Sequence, residues 1–149
     1  MEDITRERAQ FLRQAFCNGF VEFCGFAVEK IGKGYWESTL CVDERHRQQD
    51  GFVHAGVIST MADHTAGYAA FTIVPEEFQI VTVEFKINFL HPTQGEKLLC
   101  RSLVIKEGLQ VIVAESEIHD LRRSGEKLSS KATVTLSAVH GDRIRQKRS

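Results

Sequence analysis

The sequence predicts an α+β domain in which one antiparallel β-sheet wraps around a single long helix. The first observation is a mostly apolar run, residues 55–73, that has the length of a buried helix. The second is a series of extended segments, two before this run and four after it, separated by turn residues. Hairpin-linked strands with few helices favour an antiparallel sheet over the alternating strands and helices of a parallel one.

The composition is that of one globular domain. Of the 149 residues, 42% are hydrophobic and 26% are charged, which is enough for a core of its own. We assign residues 1–140 to this domain and residues 141–149 to a basic, mobile tail. A net charge of −1 argues against nucleic acid or an anionic membrane as the main partner. The sequence shows neither a secretory signal nor a membrane span, so we expect a cytoplasmic protein.

The cysteines and histidines do not indicate a metal site. The four cysteines, Cys17, Cys24, Cys41 and Cys100, lack the paired spacing of a zinc site and the density of a disulfide scaffold. We expect them to be small buried hydrophobes in a reducing compartment. The six histidines are scattered without a zinc-binding pattern. We therefore expect neither a metal nor another cofactor.

The first part of the chain predicts one helix and one hairpin. Residues 4–16 are amphipathic, and a helix there would cover one face of the domain. Residues 26–31 and 35–42 are extended, and a Gly-Lys-Gly turn separates them. Residues 43–52 are polar and are predicted to form a loop.

The central helix, predicted over residues 55–73, carries one carboxylate, Asp63, near its middle. The helix ends before Pro75, whose ring cannot continue it. An ionised carboxylate on so apolar a helix is costly unless it is paired or used, because removal from water disfavours the charged form. Asp63 is therefore the first candidate functional residue.

Four strands are predicted after the central helix. Residues 81–89 alternate between apolar and polar side chains, with the period of two of a half-buried strand. The apolar members are Val81, Val83, Phe85, Ile87 and Phe89. His91-Pro92 ends this strand, and further strands are predicted over residues 97–106, 110–121 and 127–139.

Two segments carry a resemblance to a known family. The run His54-Ala-Gly-x6-Asp63 resembles the His-Gly-Gly-x6-Asp signature of hotdog-fold acyl-CoA thioesterases of the phenylacetate-degradation (PaaI-like) branch. Residues 81–93, Val-Thr-Val-Glu-Phe-Lys-Ile-Asn-Phe-Leu-His-Pro-Thr, are similar to that family's third strand. The resemblance implies the hotdog fold and the hydrolysis of acyl-CoA. The chain departs from the signature at Ala55, where the family has glycine.

The start of the central helix is a candidate site for polarising a thioester carbonyl. Thioester hydrolysis needs donors for the carbonyl oxygen and a group that activates water or attacks directly. The N–H groups of Ala55 and Gly56 lie in the first helical turn, at the positive end of the helix dipole. We predict that they polarise the carbonyl and that Asp63 acts as general base or as nucleophile.

Asp63 and the helix start cannot serve one thioester within a single chain. Asp63 follows Ala55 by eight residues, which is roughly 12 Å at about 1.5 Å per residue. If both groups act on one substrate, they come from two antiparallel copies of the helix. The family resemblance also implies a site at a subunit interface, so we expect a homodimer or homotetramer.

The resemblance implies three further catalytic residues. Gln48 lies where the family has an Asn or Gln that holds the water or the thioester. Thr82 lies where a Ser or Thr positions the water, although strand alternation alone allows it to face solvent. His54 is predicted to orient the loop as a neutral ring, because the helix dipole disfavours its protonation.

Substrate binding is assigned to residues around Asp63. Ser59 and Gly67 belong to a face of small residues that would admit a narrow pantetheine arm. Phe85 is one of several phenylalanines placed to line an aryl or medium-to-long-chain acyl pocket.

Two other functions stay open at this point. A non-catalytic acyl-CoA-binding or sensing module would keep the pocket without the chemistry. The retained Asp63 argues against it, whereas the departure at Ala55 keeps it open. A hotdog enoyl-CoA hydratase needs an Asp and a His as an acid/base pair. Asp50 and His54 are near each other in sequence but match that pattern poorly.

Overall fold

A computed structural model describes residues 3–145, which form one sheet, four α-helices and a single 3₁₀ turn. The helices are α1 (Arg6–Phe16), α2 (Phe20–Cys24), α3 (Ala55–Phe71) and α4 (Gly141–Arg145). The strands are β1 (Phe26–Gly32), β2 (Tyr35–Cys41), β3 (Phe78–Phe89), β4 (Lys97–Lys106), β5 (Val111–Arg122) and β6 (Gly125–His140). The 3₁₀ turn (Glu44–His46) lies in the predicted loop.

The six strands form an antiparallel sheet in the order β1-β2-β4-β5-β6-β3, which confirms the predicted fold class. In this order β1 and β3 are the edge strands. The sheet packs around α3, whose core-facing side includes Met61 and the fully buried alanines Ala62, Ala66, Ala69 and Ala70. Small side chains on this face allow the helix and the sheet to approach closely.

Buried hydroxyl groups fix α3 against the sheet. Ser116 of β5 donates to the carbonyl of Ala62 at 2.8 Å, and its hydroxyl also pairs with that of Ser102 in β4 at 2.6 Å. On the other side, the hydroxyl groups of Ser38 in β2 and Thr65 in α3 are 2.7 Å apart. Buried polar groups are costly unless they are paired, so these contacts hold the helix at one position and one rotation.

Several predicted boundaries shift. The central helix ends at Phe71 rather than at residue 73, and the next strand begins at Phe78 rather than at residue 81. The short helix α2 was not predicted. The predicted mobile tail begins as helix α4, and residues 146–149 lie outside the described residues.

The predicted burial of the cysteines is confirmed for Cys24 and Cys100 but is wrong for Cys41, which is exposed at the end of β2. Cys17 is only partly buried. Within the described part of the chain, the helices are too short or too polar to cross a membrane.

For β3 we predicted that the apolar, odd-numbered side chains face the core, and this is wrong in the first half of the strand. Thr82 lies opposite Leu136 of β6 and Glu84 lies opposite Thr135, so Val83 is an extra residue, a β-bulge. The bulge reverses the alternation, and Val83 is left 63% exposed. Before the bulge the even-numbered residues face α3, and after it the odd-numbered residues do.

Candidate active site

Asp63 is half-buried in the middle of α3 and faces β3. Thr82 Oγ1 donates a hydrogen bond of 2.7 Å to Asp63 Oδ1. The bond orients the carboxylate and occupies one of its oxygens. Within residues 3–145, no other group donates to this carboxylate, so Oδ2 is available to a water molecule or a substrate.

The β-bulge at Val83 makes this contact possible. In a regular strand Thr82 and Phe85, three residues apart, would lie on opposite faces. With the extra residue between them, Thr82 opposes the buried Leu136 and Phe85 opposes the buried Val134, so both face α3. The bulge therefore places the Thr82 hydroxyl group and the Phe85 ring on the face of β3 that is turned toward α3 and Asp63.

A cavity of about 470 Å³ opens beside Asp63. Its lining residues are Asn18, Phe20, Val21, Ser59, Thr60, Asp63, His64 and Phe85. We call it the carboxylate cavity. It brings together the predicted residues Ser59, Asp63 and Phe85, whereas Gly67, one turn further along α3, does not line it. The part contributed by residues 18–21 was not predicted, because no sequence motif marks it.

The start of α3 is capped by His54. Its Nδ1 accepts a hydrogen bond of 2.8 Å from the backbone N–H of Gly56, and the backbone N–H of His54 donates to the carbonyl of His46 at 2.8 Å. Because Nδ1 is an acceptor, it carries no proton, so the ring orients the first turn as a neutral group. The Gly56 amide is already engaged, whereas no acceptor among residues 3–145 takes the N–H of Ala55.

A second cavity, of about 500 Å³, lies at this end of α3. Three predicted site residues line it, Gln48, His54 and Ala55, together with Phe89 and Leu90 at the end of β3. We call it the amide cavity. Gln48 sits in a tight loop in which its N–H donates to the carbonyl of Phe52 at 2.8 Å and its side chain accepts from the N–H of Asp50.

The two cavities have no lining residue in common. The structure brings Asp63 and Thr82 together, and it brings Gln48, His54 and Ala55 together, but it keeps the two groups apart along α3. A single chain therefore presents two separate groups of candidate residues: a carboxylate side, Asp63 with the Thr82 hydroxyl group, and an amide side, the free N–H of Ala55 with Gln48 and His54.

His64 connects the carboxylate cavity to α1. Its Nε2 lies 3.0 Å from the carbonyl of Phe16, the last residue of α1. Burial lowers the pKa of His64, the main cause, while the bond to the Phe16 carbonyl and the charge of Asp63 act in the opposite direction. The neutral imidazole therefore donates from Nε2 and holds the end of α1 beside Asp63.

Among residues 3–145, no group of three or more His, Cys, Asp or Glu side chains is placed to hold a metal ion. The polar groups of the two sides are one carboxylate, neutral side-chain hydrogen-bonding groups and a free backbone N–H.

Comparisons with known proteins place this architecture among known enzymes. Residues 50–126 match the family model of the thioesterase superfamily. The structure of a thioesterase family protein from Silicibacter pomeroyi is 37% identical, with a TM-score of 0.86, covering 90% of this chain and 99% of that one. A thioesterase from Haemophilus influenzae is 26% identical, with a TM-score of 0.80 and coverage of 89% and 90%.

A third structure, the E. coli PaaI protein from the phenylacetic acid degradation operon, has a TM-score of 0.80 and covers 93% of this chain and 97% of its own. At 19% identity it shows the shared fold alone.

Proposed function

The chain belongs to the thioesterase superfamily, and we propose that this hotdog-fold thioester hydrolase cleaves acyl-CoA to a free acid and coenzyme A at a site shared by two subunits. The observation that carries the proposal is the separation of two complementary half-sites along one helix. Asp63, held by Thr82, lies in one, and the free amide of Ala55 lies in the other.

The half-sites supply the two requirements of thioester hydrolysis. Asp63 takes a proton from a water molecule at Oδ2 while Thr82 holds Oδ1. The resulting hydroxide attacks the carbonyl carbon, and the Ala55 N–H donates to the oxygen that becomes negative. When the C–S bond breaks, the proton passes to the coenzyme A sulfur. Gln48 is proposed to hold the water or the thioester.

A covalent route is the alternative for Asp63. The carboxylate would attack the carbonyl carbon itself, the C–S bond would break with release of the coenzyme A thiolate, and water would then hydrolyse the resulting anhydride to Asp63 and the free acid. A single turnover in oxygen-18 water tests the route, because hydrolysis of the anhydride at the Asp63 carbonyl would leave the label in the protein. Absence of label in Asp63 would count against the covalent route.

The edge strand β3 is the proposed contact between the two subunits. An unpaired edge is a template for another strand, and β3 is 12 residues long with exposed apolar side chains, among them Val83 and Phe89. β3 also borders both cavities, through Phe85 in one and Phe89 in the other. Antiparallel pairing of two β3 strands would set each carboxylate cavity beside the partner subunit's amide cavity.

The proposal is tested by thiol release from short-, medium- and long-chain acyl-CoAs, phenylacetyl-CoA and hydroxybenzoyl-CoA. Asp63→Asn keeps the size of the side chain but removes the base. We expect a loss of kcat on the order of 100- to 10,000-fold. Glu29→Gln is the control, because this exposed carboxylate lies on β1, at the opposite edge of the sheet from β3, and should leave kcat unchanged.

Two outcomes would contradict the proposal. Retained turnover in a folded Asp63→Asn protein would remove Asp63 from the chemistry. If the wild type hydrolyses none of the thioesters yet binds them tightly, the chain is an acyl-CoA-binding module instead.

A further inference from the structure

We infer that Phe20 of α2 forms a wall of the acyl-group pocket beside Asp63 and thereby favours aryl and medium-chain acyl groups over acetyl. The inference rests on the proposed function, since it names the part of the substrate that the carboxylate cavity holds. Four observations support it: how α2 is anchored, what its two phenylalanines contact, what else lines the cavity, and how the preceding segment is fixed.

The helix α2 is a short element that turns two phenylalanines outward. Val21 and Cys24 are buried and anchor the helix in the core. Its N-cap, Gly19, has φ of 60° and ψ of −126°, a conformation that favours glycine and sets the direction in which the helix starts. As a result Phe20 and Phe23 point away from the core and are 64% and 67% exposed.

The two phenylalanines have different surroundings. The guanidinium group of Arg45 lies 5.8 Å from the ring centroid of Phe23, which accounts for that ring as a cation–π partner. Phe20 lines the carboxylate cavity together with Phe85. An aromatic side chain left in water is unfavourable, and a substrate that covers Phe20 removes the penalty.

The carboxylate cavity is polar along α3 and mainly apolar opposite it. Ser59, Thr60, Asp63 and His64 line the helix side, and the remaining lining consists of Phe20, Val21 and Phe85 with one polar residue, Asn18. A volume of about 470 Å³ is within the range of small-molecule sites. The acyl group is the apolar part of an acyl-CoA, so it belongs against these rings, where an aryl group gains stacking contacts in addition to burial.

The segment that carries Phe20 is held in place. Phe16 is fully buried, and its ring stacks on Trp36 with centroids 5.4 Å apart. Its carbonyl accepts the hydrogen bond from His64, the neighbour of Asp63 in sequence. Phe20 is four residues further on in α2, which the buried Val21 and Cys24 anchor, so the backbone that carries its ring has a defined position relative to the carboxylate. A defined wall is what selectivity for acyl size requires.

The test compares Phe20→Ala with Phe23→Ala, two substitutions of equally exposed phenylalanines in the same helix. We would measure kcat/KM for phenylacetyl-CoA, octanoyl-CoA and acetyl-CoA, together with the thermal unfolding temperature. We expect Phe20→Ala to lower kcat/KM for the two larger substrates by about tenfold or more and to change acetyl-CoA hydrolysis less than about twofold. Phe23→Ala should leave all three values near those of the wild type.

Three results would overturn the inference. Equal effects of the two variants would show that Phe20 has no special role, and an equal loss on all three substrates would show a general effect on the site. In both cases wild-type turnover leaves the proposed function standing. If the wild type hydrolyses none of the thioesters, both the proposed function and this inference fail.

Discussion

The first turn of α3 and its middle are held in place by different means. In the middle, Ala62 and Thr65 are buried, and side-chain hydroxyl groups from β5 and β2 fix them. At the first turn, Ala55 and Gly56 are exposed, and the loop before the helix provides the support. There the N–H of Val53 donates to the carbonyl of Thr93 at 2.9 Å, and His54 caps the helix.

This difference decides how the carboxylate side and the amide side can each be tested. The carboxylate side depends on the core, so substitutions of its buried neighbours would disturb the fold together with the chemistry. The amide side depends on backbone groups at an exposed helix end, where a single donor can be removed without opening a cavity.

The largest effect expected at the amide side is that of Ala55→Pro. Proline removes the N–H but suits the first helical position, and His54 already has the extended conformation that proline requires before it, with φ of −63° and ψ of 135°. We expect kcat to fall on the order of 100- to 1,000-fold, with little change in the thermal unfolding temperature.

Ala55→Gly is the matched control, because glycine keeps the N–H. It should retain kcat within a few-fold, and a gain would show that alanine restricts the geometry of this turn. If Ala55→Pro keeps wild-type turnover, the carbonyl is polarised by another group, and the amide side loses its assigned role.

Mixed dimers test whether the two halves act across subunits. Asp63→Asn and Ala55→Pro should each be nearly inactive, but a dimer containing one of each has one intact composite site. After unfolding and refolding together in equal amounts, about a quarter of the wild-type activity should return, because about half of the dimers are mixed and one of their two sites is intact.

The control for mixed dimers is Asp63→Asn refolded with Asp63→Ala, in which no arrangement gives an intact site. Both mixtures are assayed for thiol release at the same protein concentration. If the first mixture stays as inactive as its components while mixed dimers are present, Asp63 and Ala55 do not meet across an interface.

Local sequence patterns predicted the framework well. The central helix begins at Ala55, as predicted, because apolar periodicity and the adjacent motif are both local signals. The strands β4, β5 and β6 also lie within a few residues of their predicted bounds. Asp63 stood out for a physical reason that the sequence alone contains, an ionisable group within an apolar helix.

The features that sequence patterns did not predict depend on pairing between distant segments. The bulge at Val83 follows from the register between β3 and β6, and the uniform alternation of residues 81–89 concealed it. The hydrogen bond from the Gly56 N–H to His54 Nδ1 depends on the conformation of the loop that precedes the helix. Helix α2 has only five residues, too few for a helical period to show. The roles of Gln48 and Thr82 stay predictions.

The smallest expected effect concerns His64, which links the carboxylate side to α1. Burial holds the pKa of His64 below its ordinary value of 6.5, so the unfolded chain takes up a proton at a higher pH than the folded protein does. The free energy of unfolding should therefore fall as the pH decreases below about 6.5, until the folded-state pKa is reached. A single group contributes at most about 1.4 kcal/mol per pH unit.

Urea unfolding of the wild type and His64→Gln at pH values of about 7.5 and about 5.5 measures this contribution. Glutamine does not titrate, so His64→Gln should lose less stability on acidification, while His91→Gln, at an exposed position after β3, should behave like the wild type. Equal losses of unfolding free energy in all three proteins would mean that groups other than His64 take up the protons that are linked to unfolding. The junction between α1 and Asp63 would then be insensitive to pH in this range, and the hydrogen bond from the neutral His64 to the Phe16 carbonyl would act without a pH response.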